Sequence, residues 1–103
     1  MGGDLISARL RRRVRGDFPD AGAARGVEGA LSALVGALRD DWHDPAGIER
    51  LMAAVVLTAG GDVRRVGEAV QWGLQDWRDL LVAGGLAHED WPAVLDRELG
   101  RLG

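Results

Sequence analysis

The stretch Asp44-Pro45-Ala46-Gly47-Ile48-Glu49-Arg50-Leu51-Met52-Ala53-Ala54-Val55-Val56-Leu57-Thr58-Ala59-Gly60-Gly61-Asp62 reads as one helix with both of its ends written in. An Asp directly before a Pro is a strong start, because the carboxylate accepts from free first-turn amides and Pro is tolerated at the first helical position. Gly60 supplies a left-handed stop and Asp62 caps whatever follows. Between these signals Ile48, Leu51, Met52, Val55, Val56 and Ala59 share one face, while Ala54 and Leu57 lie opposite. A helix apolar almost all round belongs at the centre of a fold. The run Ala53 to Leu57 also fits a buried strand, but the cap ahead of it and the lack of partner strands argue against that reading.

Working outward from this element, the pattern yields helices on both sides. Upstream, Val27, Leu31, Leu34, Val35, Leu38 and Trp42 follow the i, i+3, i+4 rule, with Gly22, Gly26 and Gly29 weakening the opening of that helix. Before it, Leu5 to Arg15 forms a short helix with Ile6, Leu10 and Val14 on a narrow stripe, ended by Gly16-Asp17-Phe18-Pro19-Asp20. Downstream, Val63 to Ala83 reads as one helix with a core stripe of Val63, Val66, Val70, Leu74, Trp77 and Leu81. Gly84-Gly85 closes it, and Trp91-Pro92 opens a last helix carrying Trp91, Val94, Leu95, Leu99 and Leu102 on one face. The expected fold is therefore all-α: a compact, mainly antiparallel bundle of about five helices around a central apolar third helix. It forms one domain over residues 1–103, in which residues 1–20 are a basic helix and turn with scope to be mobile.

The aromatic residues sharpen this reading. The chain has four Trp, one Phe and no Tyr, and three of the tryptophans follow an aspartate, in Asp41-Trp42, Asp76-Trp77 and Asp90-Trp91. A buried Trp removes roughly 150–250 Å² from water, so these rings nearly place the core. Trp42, Trp77 and Trp91 lie in register with apolar stripes and join Met52, Val56, Val70, Leu74, Leu81 and Leu95 as expected core residues. Trp72 is out of register. At about 100° per residue it falls roughly 200° from Val70, on an outer face with Arg65, Glu68, Gln75 and Asp79. A Trp ringed by polar groups is the composition of an interface hot spot; its alternative is a core residue covered by the first or last helix.

Charge is the other informative pattern. The net charge is −3, all thirteen cations are Arg, and five of them, Arg9, Arg11, Arg12, Arg13 and Arg15, sit in the first helix. Such a cluster can grip phosphate or an acidic protein surface, or stand as the solvated face of a terminal helix. The acidic balance of the rest argues against nucleic acid as a partner, and so do Glu68, Asp76 and Asp79, which lie on the outer side of the Val63–Ala83 helix that a helix-turn-helix reading of this helix and the one before it would make the recognition helix. Cysteine is absent, which removes disulfides and thiolate chemistry. His43 and His88 lack the i, i+3 or i, i+4 spacing of paired metal ligands, Ser7 and Ser32 lack a nucleophile context, and no glycine-rich phosphate loop follows a strand. The expectation is a non-enzyme with no metal and no cofactor. No apolar run is long enough to span a bilayer and no signal-like stretch precedes the arginines, so a cytoplasmic location is expected, with no membrane partner.

The segment Asp76-Trp77-Arg78-Asp79-Leu80-Leu81-Val82-Ala83-Gly84-Gly85-Leu86-Ala87-His88-Glu89-Asp90-Trp91-Pro92, with Asp44-Pro45 and Gly60-Gly61-Asp62 before it, resembles a group of small proteins from high-GC actinobacteria. The resemblance covers about half the chain. It implies an all-helical bacterial domain and carries no activity with it. Together these readings favour a protein–protein interaction or self-association domain, its partner being itself or another protein. An accessory nucleic-acid binder using the N-terminal arginines is the alternative.

Overall fold

Five of the described helices start where a short polar side chain replaces the missing preceding turn, and the sixth starts at Trp91-Pro92 without one. The computed structural model describes residues 6–38 and 44–100, and among them lie six α-helices and no strand: α1 (Ala8–Asp17), α2 (Ala21–Ala37), α3 (Pro45–Ala59), α4 (Val63–Gln75), α5 (Trp77–Ala83) and α6 (Trp91–Leu99). Ser7, Asp20 and Asp44 each accept from the backbone amide three residues on, and Asp62 and Asp76 from the amide two residues on. Gly60 ends α3 in the left-handed conformation at φ 57°, as its sequence anticipates. Trp42, Asp41, His43 and Leu102 lie outside the described residues.

α3 contacts all five other helices. Leu51, Met52, Ala53, Ala54, Val55 and Val56 are all fully buried, a run that closes every side of the helix over nearly two turns. Leu10 and Val14 from α1, Leu31 and Leu34 from α2, Leu80 and Leu81 from α5, and Val94, Leu95 and Leu99 from α6 close around it. The expected core residues Met52, Val56, Leu81 and Leu95 are buried, while Val70, Trp77 and Trp91 are half-buried at its margin.

The expected single helix over Val63–Ala83 is two helices. Asp76 breaks it: its backbone is extended at φ −156°, its amide closes α4 on Trp72 O, and its carboxylate accepts from Arg78 N at 3.0 Å to open α5. An aspartate beside a Trp thus acts as a cap, a stronger role than a place on a solvated face. The buried stripe of α4 also differs. Val66, Ala69 and Gly73 are buried, whereas Leu74 and Val63, expected inside, are 41% and 53% exposed. The helix is turned by about 70° from the expected stripe. The cause is the small side chains: a Cβ on Gly73 would stand 2.9 Å from a Leu80 methyl and 3.4 Å from one of Leu34, so α4 seats its narrowest face against α2 and α5. Close approach by small residues wins over area burial by Leu74.

The same economy of space joins α5 to α3. A Cβ on Gly84 would meet Ala54 Cα at 2.8 Å and Ala54 O at 3.1 Å, so only glycine lets the end of α5 lie on the central helix. The described chain is nearly as wide as it is long, 33 × 31 × 30 Å, with a radius of gyration of 12.3 Å.

Candidate protein interaction surface

The N-terminal arginines, the first candidate site, are mostly engaged within the chain: Arg9 is buried, Arg11 and Arg13 are half-buried, and Arg12 and Arg15 are exposed. Arg9 is 6% exposed. Its guanidinium grips the Glu49 carboxylate with two bonds, Nε to Oε2 at 2.8 Å and Nη2 to Oε1 at 2.6 Å, and its third nitrogen reaches Asp96 Oδ1 at 2.7 Å and Gly100 O at 2.9 Å. Ser7 Oγ donates to the same Glu49 carboxylate while accepting from Leu10 N. Arg12 donates to Leu99 O and Arg13 to Glu98 O, with Arg13 also paired to Asp17 at 3.0 Å. Arg9, Arg12 and Arg13 therefore supply donors to three successive carbonyls at the end of α6, where the helix dipole is negative and backbone acceptors lack partners. Arg11 pairs with Glu28 at 3.3 Å. Only Arg15 remains with no partner among the described residues, on a groove of about 280 Å³ beside Phe18, Pro19, Ala24 and Arg25.

This clasp sets the charge states of its members. Hydrogen bonding to Glu49, partly offset by burial and assisted by Asp96, holds the Arg9 guanidinium above its ordinary range. Arg9 in turn holds the Glu49 carboxyl below its ordinary value of 4.5 against the opposing effect of burial, with Ser7 assisting. Sequence reasoning missed the pairing. The signal was a lone Glu at position 49 beside Ile48 in an otherwise apolar helix face, but its partner is 40 residues away. Arg50, next to it, donates to Leu86 O at 2.8 Å and lies 4.9 Å from the centre of the Trp91 ring; burial pushes its pKa down. Trp77 is matched by Arg78 at 5.2 Å. Two of the expected core tryptophans are therefore rim residues with a cation over the ring.

Trp72 is different. It is 42% exposed, no described helix covers it, and it divides two surface hollows. One, of about 680 Å³, is a broad shallow depression along α4 lined by Arg64, Gly67, Glu68, Gln71, Trp72 and Gln75. The other, of about 200 Å³, runs between α4 and α3, where Thr58 Oγ1 is buried with no hydrogen-bond partner among the described residues. Arg65, Glu68 and Gln75 are exposed around the ring, and neither Arg65 nor Glu68 makes an ion pair with any described residue. Asp79, expected on this same face, is exposed but belongs to α5 beyond the Asp76 break, so it leaves the stripe.

His88 is exposed, and among the described residues no three or more His, Asp or Glu side chains come together as a possible metal site. No described helix is long and apolar enough to cross a membrane. Comparison of the chain with protein-family models, curated proteins and solved structures finds no match.

Proposed function

We propose that this chain is a non-catalytic association domain that docks a protein surface on the outer face of α4, with Trp72 as its anchor. The observation that carries this reading is the exposure of Trp72 between two hollows, on a helix that has turned its small residues inward and left its largest ring outside. Exposed Trp with a polar surround is the residue type on which binding energy concentrates. The nucleic-acid reading has less support, because Arg9, Arg11 and Arg13 are ion-paired within the chain to Glu49, Asp96, Glu28 and Asp17, and Arg12 donates to Leu99 O. Phosphate binding draws on arginines free to release counterions.

The test is the stability of Trp72→Ala. A docking residue contributes little to the isolated fold, so urea unfolding of the variant is expected to match wild type within about 0.5 kcal/mol. A loss of about 3 kcal/mol or more would assign Trp72 to the core and remove the reading.

A further inference from the structure

The face around Trp72 carries an order that a single copy leaves unused. Arg65, Glu68, Trp72 and Gln75 fall within about 80° of arc on α4, spaced i, i+3, i+7 and i+10. Their midpoint is position 70. At about 1.5 Å per residue, Glu68 and Trp72 lie roughly 3 Å to either side of it along the axis, and Arg65 and Gln75 roughly 7.5 Å. A two-fold axis through that midpoint, perpendicular to the helix, sets a second α4 antiparallel to the first. It then brings Trp72 level with Glu68 of the other copy, and Arg65 level with Gln75 of the other copy.

Each pairing is chemically matched. Indole N–H is a donor with no acceptor capacity of its own, and a carboxylate is acceptor-only. The Gln75 carbonyl accepts from a guanidinium, and Arg65 arrives about one turn from the other copy's Trp72 on the same side of the seam, within reach of its ring. Arg65 and Glu68 have no ion-pair partners among the described residues of their own chain. We infer that the occupant of this face is a second copy of the chain, seated antiparallel across α4 with Trp72 against Glu68 in both directions. This rests on the reading of α4 as an association surface and names its partner. The 13-residue helix is about 20 Å long, so one such crossing is a small interface, and association belongs to the weak, reversible class.

The chain contains no cysteine, which allows a direct test of register. Arg65→Cys and Gln75→Cys proteins are mixed under mild oxidation. Facing positions of the antiparallel pair come within disulfide reach, whereas two copies of the same variant hold their cysteines about 15 Å apart, beyond it. The expected result is a covalent dimer in the mixture and little in either variant alone. Trp72→Ala is expected to weaken association of the cysteine-free chain by about thirty-fold or more, the effect of a hot-spot truncation. Glu68→Ala, which removes the acceptor for the other copy's indole N–H, weakens it too. No cross-link in the mixture, or cross-links as fast in the single variants, overturns the antiparallel second copy. The docking reading itself fails on a different result, a large stability loss in Trp72→Ala.

Discussion

Arg9 and Glu49 form a two-pronged ion pair between α1 and the central helix, with contacts of 2.6 and 2.8 Å and side chains 7% and 11% exposed. The pair joins the N-terminal helix, the middle of the fold and, through Asp96 and Gly100 O, its C-terminal helix. Buried charge is tolerable here because every prong of the guanidinium has an acceptor.

Removing one partner strands the other. Arg9→Met leaves the Glu49 carboxylate buried with only Ser7 to answer it, and is expected to cost about 3–5 kcal/mol in urea unfolding. The double variant Arg9→Met with Glu49→Leu, which removes both charges, recovers most of that loss. Equal losses in the single and double variants would show that the charges are not the cause.

The same pair sets a pH dependence. Glu49 titrates lower in the folded chain than in the unfolded one, where 4.5 is its ordinary value. The unfolded state therefore binds the proton first on acidification, and the contribution of Glu49 is complete above that value and lost as pH falls through the folded-state pKa. Arg9, held above its ordinary range, stays charged throughout this window. Wild-type stability measured from pH 6 down to pH 3 is expected to fall more steeply than that of Glu49→Gln. Parallel slopes would contradict the assignment.

Gly84 and Gly29 make opposite predictions for the same change. A methyl at Gly84 meets Ala54 Cα at 2.8 Å, whereas at Gly29, inside α2, nothing lies within 4 Å. Gly84→Ala is expected to destabilise by about 1–3 kcal/mol through overpacking against backbone that cannot yield. Gly29→Ala is expected to stabilise by about 0.5–1 kcal/mol through helix propensity. Thermal melts of the two variants check both signs.

Asp76 separates α4 from α5 and caps the latter. Asp76→Ala removes the acceptor for Arg78 N and is expected to cost about 0.5–2 kcal/mol. Asp76→Asn, which keeps an acceptor oxygen, recovers most of it. A variant as stable as wild type would mean that the break is held by packing alone.

Much of this architecture was legible from local signals. Asp44-Pro45, Gly60-Gly61-Asp62 and Gly84-Gly85 marked ends because capping and left-handed stops depend on neighbouring residues only. The apolar girth of Ile48 to Ala59 marked the centre. Hydrophobic periodicity misplaces the α4 stripe because it weighs residues by size, whereas Ala69 and Gly73 are buried for being small. Leu74 was displaced to the surface as a result, and Asp76 read as surface charge where it is a cap. The arginine cluster reads as one basic patch because Glu49, Asp96 and the carbonyls at the end of α6 are 40 to 91 residues away, although Asp17 lies only four residues from Arg13. The outward phase of Trp72 was visible from helical spacing; its companion Asp79 was lost to the break that spacing did not register.

The central claim is that α4 joins two copies of the chain through Trp72, and sedimentation equilibrium over a ladder of concentrations tests it most directly. The account predicts that the wild-type mass climbs from 11.0 kDa toward twice that value as concentration rises into the high micromolar range and beyond, while Trp72→Ala remains at 11.0 kDa. Masses that coincide at every concentration, both monomeric or both dimeric, would contradict it.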